Sequence, residues 1–156
     1  MSNADDFAEQ IAEWAKVSGK RLDKVDRAFK IQLSTMVIEQ TPVGNKEYWS
    51  EKARKYAPAG YVGGRARNNW FPSIGAPSNK TTKRTGAKGQ AAKRRAVKIA
   101  GQSVGQVYYL TNNLPYIRRL EYEGHSQQAP SGMLRRSVKE ARQALKRAII
   151  EAKRIK

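Results

Sequence analysis

The chain has no cysteine and one histidine, His125. The first absence excludes disulfides and thiolate metal sites. The second leaves only carboxylates and hydroxyls to complete a metal shell around His125, a poor set for zinc. Long apolar runs are also missing. No stretch approaches the ~20 residues of a membrane span, so no membrane partner is expected. The opening MSNADDFAEQ is acidic and lacks the basic-then-apolar layout of a signal peptide, which points to cytosolic synthesis. With 156 residues, 39% hydrophobic and 28% charged, the expectation is one domain over 1–156. Such a chain is polar yet able to bury one modest core.

The strongest absence is of acid in the middle of the chain. Residues 1–51 hold 7 basic and 9 acidic side chains, residues 52–120 hold 15 basic and none acidic, and residues 121–156 hold 9 and 4. The central stretch cannot neutralise itself, and most of the net charge of +18 sits there. It should set up a positive potential that attracts phosphate or an acidic protein surface. A solvated surface that keeps the protein soluble is the plainer reading of the same charge.

Residues 4–40 read as a helix. Phe7, Ile11 and Trp14, then Leu22, Val25, Phe29, Leu33 and Met36, recur at steps of three and four. Ser18 and Gly19 fill the gap, where a kink or break fits. Ser2 to Asp5 has the form of a helix start, and Thr41-Pro42 ends the helix because the residue before proline disfavours the α region. NKEYWSEKARKYA suits a short helix, PAGYVGG a turn cluster, and 68-NNWFPSIG-75 a strand that Pro72 restricts to an edge or a bulge. The 76-APSNKTTKRTGAKGQ-90 stretch has almost nothing to bury and reads as a flexible basic loop, either a polyanion contact or a loop with no partner.

A short basic helix is expected over 87–100, with Ala91, Ala92, Ala96, Ile99 and Ala100 apolar. A strand follows over Gln106–Thr111, with Val107, Tyr109 and Thr111 on one face. Residues 116–122 fit one turn of helix or a strand. From Gly132 a clear helix begins. Its stripe is Met133, Leu134, Val138, Ala141, Leu145, Ala148, Ile149 and Ala152, with Ser131 as N-cap. The order of elements is that of an α+β fold: a long N-terminal helix and a C-terminal helix packed on a small, mainly antiparallel sheet with long basic loops. Few strands leave sheet edges that need cover, and a ring of identical copies would supply it.

Glu121, Glu123, His125 and Ser126 lie close together and resemble the parts of a reaction centre. Glu-Tyr-Glu-Gly-His matches no metal or nucleophile signature, and Ser126 is not in a nucleophile elbow. The alternative is a shaped loop in which His125 donates a hydrogen bond. Gly63-Gly64-Arg65 and Gly86-Ala87-Lys88-Gly89 lack phosphate-loop spacing. No catalytic, cofactor-binding or metal residue is assigned, and no cofactor is expected. Trp49, Trp70, Tyr48, Tyr56, Tyr61 and Phe71 interleave with lysine and arginine, which suits base stacking or a protein interface.

Several segments together carry a resemblance. They are Thr41-Pro42-Val43, Gly64-Arg65-Ala66-Arg67-Asn68-Asn69-Trp70, Asn112-Asn113-Leu114-Pro115-Tyr116 with Leu120-Glu121-Tyr122, and Gln128-Ala129-Pro130-Ser131-Gly132-Met133. The series resembles the tail-completion, or neck, proteins of tailed bacteriophages, the HK97 gp10-like minor tail components. The likeness spans about residues 20–150, and its second half is the more specific. The first two segments usually run together in that family. Here residues 44–63 separate them as an insertion loop. Glu123 also stands where the family runs straight to glycine.

The resemblance implies a non-enzymatic structural virion protein that forms a homo-oligomeric ring, six-fold or alternatively twelve-fold, at the head–tail junction. Its implied place is the virion tail or neck, assembled in the host cytoplasm. The implied partners are further copies of itself, neighbouring neck and tail-terminator or tail-tube proteins, and genomic DNA in the channel. On this reading Trp49, Trp70, Tyr116 and Leu120 are packing or interface anchors, and Lys83, Arg84, Lys88, Arg94 and Arg95 are electrostatic contacts. A basic nucleic-acid-binding protein is the alternative.

Overall fold

In the computed structural model, residues 19–154 are described. The expected start signal at Ser2–Asp5, the Phe7, Ile11 and Trp14 positions and Ser18 lie outside them. The elements are α1 (Gly19–Gln40), a 3-10 turn (Lys46–Tyr48), α2 (Glu51–Lys55), α3 (Arg65–Asn68), β1 (Phe71–Ile74), α4 (Gln90–Ala100), β2 (Tyr108–Thr111), α5 (Ile117–Tyr122) and α6 (Leu134–Arg154). The fold is α+β. Its sheet is two antiparallel strands, in which Phe71 pairs with Thr111, Pro72 with Leu110, Ser73 with Tyr109 and Ile74 with Tyr108. Both strands are therefore edges, which is where a proline is tolerated.

α1 is the spine. It packs most extensively along α6 and next along α4, while β1 lies against α4. The core gathers where the C-terminal end of α1 meets the N-terminal end of α6. Val37, Ile38, Ala66, Trp70, Ala92, Leu114, Leu120 and Met133 meet there, with Leu110, Ile117 and Leu134 packed around them.

Apolar periodicity misplaced part of the buried face of α1. Val25 is buried, but Leu22, Phe29, Leu33 and Met36 are only half-buried. Lys30, Ser34, Val37, Ile38 and Thr41 are covered more completely. Contacts on two sides widen the covered arc, and polar residues there find distant partners. Lys30 Nζ donates to Asp26 at 2.6 Å and to the Ser103 carbonyl at 2.7 Å, and lies 5.8 Å from the centre of the Tyr108 ring. Ser34 Oγ and the Tyr108 hydroxyl are 3.0 Å apart. β2 starts two residues later than expected, because Gln106 N closes a turn on the Ser103 carbonyl at 2.9 Å. Its helix-facing side carries Tyr108 and Leu110, not Val107, which is exposed.

α1 stops at Thr41-Pro42, and its end is held by distant side chains. Thr41 Oγ1 donates to the Val37 carbonyl at 2.7 Å and accepts from Trp70 Nε1 at 2.8 Å. The Arg67 guanidinium donates to the carbonyls of Thr41, Glu39 and Ala87, each at 2.6 Å. The Glu39 and Thr41 oxygens have no intrahelical partner, so an external cation suits them. Burial lowers the Arg67 pKa, and Glu39 opposes that shift.

α6 also differs from its expected stripe. Val138 is exposed, and Ser137 and Ala144 are buried instead. Ser137 tolerates burial by donating its hydroxyl to the Met133 carbonyl at 2.8 Å.

Two predictions follow from this packing. Thr41→Val keeps the shape but leaves the Trp70 N–H buried and unpaired, so urea unfolding should show a loss of about 2 kcal/mol. Burial raises the Tyr108 pKa, with the Ser34 hydrogen bond opposing it. The fold thus favours the protonated phenol. Its contribution is complete below the ordinary tyrosine range and is lost as pH rises through the folded-state value. Stability measured from about pH 9 to 11 should fall less steeply in Tyr108→Phe than in the parent.

Candidate functional site: a basic cleft beside α4

The 75–89 segment has no regular structure, yet asparagine side chains tie it down. Asn68 Nδ2 donates to the carbonyls of Gly64 and Gly86, both at 2.9 Å. Asn69 Nδ2 donates to the Thr82 carbonyl at 2.9 Å, and its Oδ1 accepts from Thr82 N at 2.8 Å. Asn113 Nδ2 holds the carbonyls of Ser78 at 2.8 Å and Lys80 at 3.1 Å. An amide carries both donor and acceptor, so one side chain can dock an irregular backbone as a strand would.

So held, the segment forms one wall of an open cleft of about 550 Å³. Lys80, Thr81, Thr82 and Arg84 line that wall, and Ala91, Arg94 and Arg95 of α4 line the other. Spacing of three and four brings these α4 residues to one helix face. Phe71 of β1 and Ala91 are the apolar residues of the lining, 9% and 8% exposed.

Arg95 is partly structural. Its guanidinium donates to the Asn68 carbonyl and, at 3.1 Å, to that of Trp70, and lies 4.1 Å from the Phe71 ring centre. Its Nε is buried without a partner. Burial lowers its pKa, and the nearby Arg84 cation lowers it further. Lys80, Arg84 and Arg94 are exposed, and their side chains make no hydrogen bond or ion pair.

Of the five electrostatic residues expected from sequence, Arg84, Arg94 and Arg95 line the cleft, whereas Lys83 and Lys88 are exposed outside it. Sequence reasoning did not single out Lys80 and Thr82, and took Phe71 as one of several aromatics suited to stacking or an interface. Lys80 and Thr82 lie inside the basic loop already singled out, but their side of it is chosen by Asn69 and Asn113.

The four expected anchors separate into two pairs. Trp70 and Leu120 belong to the core. Trp49 is half-buried and rests on Tyr61, with ring centres 4.8 Å apart and planes tilted by 59°. Tyr116 is 38% exposed, and burial raises its pKa, with Arg65 lowering it and Tyr61 raising it. The 44–63 segment leaves and rejoins the fold at one point, since a Cβ on Gly63 would sit 2.0 Å from the Gly44 carbonyl oxygen. Tyr48, Tyr56 and Val62 on this arm are exposed.

The groups around His125 do not converge. His125 is exposed and makes no hydrogen bond, contrary to the donor role expected for it. Glu123 pairs with Arg119 at 3.2 Å on the surface. Ser126 Oγ accepts from Gln128 N at 3.2 Å. Glu121 is 2% exposed and faces the start of α6. Its carboxylate accepts from the backbone N–H of Met133 and Leu134, both at 2.8 Å, and of Arg135 at 3.0 Å. Arg135 Nε is 3.3 Å from the same carboxylate.

Glu121 therefore caps α6 in place of Ser131, which is exposed and makes no side-chain bond. A carboxylate suits the positive end of a helix and takes three donors that a serine could not. Gly132 (φ +79°) makes room, because a Cβ there would lie 2.4 Å from the Glu121 carbonyl oxygen.

Among the described residues no group of three His, Asp or Glu side chains could hold a metal ion, and no helix is long and apolar enough to cross a membrane. Comparison of the chain with protein-family models, curated proteins and solved structures finds no match in any of the three.

Glu121→Ala leaves three N–H groups without their acceptor and should cost about 3 kcal/mol in urea unfolding. Glu121→Gln keeps one acceptor oxygen and should cost about half of that.

Proposed function

We propose that this chain is a structural virion protein of a tailed phage, a tail-completion or neck component that builds a homo-oligomeric ring at the head–tail junction and has no enzymatic role. One observation carries the reading. The residues that resemble the neck-protein family are the ones that frame this fold, although they lie far apart in sequence. Thr41, Arg67 and Trp70 close the end of α1. Asn68, Asn69 and Asn113 dock the basic loop. Glu121 caps α6. Gln128 clasps Val43 through two hydrogen bonds, accepting at 3.1 Å and donating at 2.8 Å.

A motif used in this way specifies a scaffold and leaves the outer surface for assembly. The exposed aromatics of the 44–63 arm, together with Trp49 and Tyr116, fit the subunit contact, since tyrosine and tryptophan are enriched in interface anchors. The basic belt fits the channel, or an acidic neighbour such as a tail-terminator or tail-tube protein. The ring has six copies on this reading, with twelve as its alternative. Its location is the virion neck, after assembly in the host cytoplasm.

A second reading, a basic nucleic-acid-binding protein, draws on the carboxylate-free cleft at Arg84 and Arg94.

Light scattering and negative-stain images of the purified protein test the ring. A closed particle with the mass of six or twelve copies is expected. A monodisperse monomer at high concentration contradicts it.

A further inference from the structure

We infer that the cleft between the 80–84 loop and α4 is a phosphate-binding site for the backbone of nucleic acid, gripped without regard to sequence. This gives the basic belt a defined site and ligand. It rests on the reading above only for the expectation that DNA passes close by.

Three observations carry it. First, Arg84, Arg94 and Lys80 converge on one concavity whose lining contains no carboxylate, and their side chains have no partner among the described residues. Arg95 sits beside them with its own charge unpaired. Cations held together without counter-charge repel one another, and an oxyanion between them removes that cost.

Second, the groups are suited to phosphate. Arginine offers a planar fork of donors that matches phosphate oxygens, and the Thr82 side chain in the same wall adds a hydroxyl.

Third, the lining disfavours a protein ligand. A protein interface draws much of its energy from tryptophan, tyrosine and arginine anchors seated in well-packed, desolvated pockets. Here the only large apolar side chain is Phe71, which is 9% exposed and overlaid by the Arg95 guanidinium at 4.1 Å. The same cover prevents a base from stacking on Phe71. Affinity must come from charge along a strand, which a repeating phosphate backbone supplies and which carries no base readout.

The test uses the full chain and two duplex oligonucleotides of unrelated sequence, with binding read by fluorescence anisotropy over a salt series. Arg84→Gln with Arg94→Gln removes two free cations whose side chains hold nothing in the fold, and circular dichroism checks that the fold persists. The expected result is a loss of roughly tenfold or more, equal for both duplexes, with the log–log salt slope reduced by about two. Lys52→Gln with Lys55→Gln removes the same charge from exposed positions on the 44–63 arm and should leave affinity nearly unchanged.

The proposal is overturned if both double variants weaken binding equally, which means diffuse charge. It is also overturned if the cleft variant binds as the parent does. The third overturning result is that polyglutamate, and not DNA, binds in a cleft-dependent way, which means an acidic protein partner. Light scattering on the same samples keeps the two ideas apart. A ring without cleft-dependent DNA binding sinks the site alone, and a monomer that binds DNA through the cleft sinks the ring alone.

Discussion

The carbonyl oxygens at the end of α1 need donors, and Arg67 supplies them. A helix leaves its last carbonyls without intrahelical partners, and here those of Glu39 and Thr41 take theirs from a side chain 28 and 26 residues further along the chain. The Arg67 guanidinium meets two of them and, with its remaining amino group, holds the Ala87 carbonyl just ahead of α4. Trp70, three residues on, places its N–H on Thr41 and its ring in the core. One short helix, α3, thus joins the end of α1, the start of α4 and the hydrophobic centre. The basic loop, β1 and the cleft all take their positions from this junction.

The other end of the core repeats the logic with the opposite charge. The start of α6 presents N–H groups, and the Glu121 carboxylate meets three of them from a helix that precedes it in the chain. Cation at a C-terminus and anion at an N-terminus are the favourable pairings for helix dipoles. Each cap comes from a different element, so each fixes the distance between two elements. The shape of the histidine-bearing loop after Glu121 follows from this geometry: Gly132 admits the carboxylate, while His125 is exposed with no hydrogen-bond partner among the described residues.

The long helices were legible in sequence because their signals are local, whereas the four-residue α3 (Arg65–Asn68) fell in a stretch read as irregular. Periodicity located α4 and α6, and Thr41-Pro42 marked the end of α1. Buried polar positions were not legible, since their partners are remote. Lys30 reads as a surface charge until Ser103, 73 residues away, supplies a carbonyl. Glu121 reads as half of an acid–base pair until α6 starts 13 residues later. The cleft was legible in part. Composition pointed to a basic loop followed by a basic helix over 87–100, but only long-range amide bonds from Asn69 and Asn113 decide which loop residues face that helix.

Arg67 and the paired asparagines are engaged in holding backbone, and Trp70 holds the Thr41 hydroxyl. Two exposed features differ in kind, an aromatic arm at 44–63 suited to contact between proteins and a basic cleft beside α4 suited to a polyanion. An electron cryomicroscopy reconstruction of the assembled protein tests this division most directly. The account predicts a closed ring in which the arm lies at the contact between subunits and the cleft opens toward the central channel. A ring that buries the cleft between subunits and leaves the arm in solvent would contradict it, as would particles of single chains.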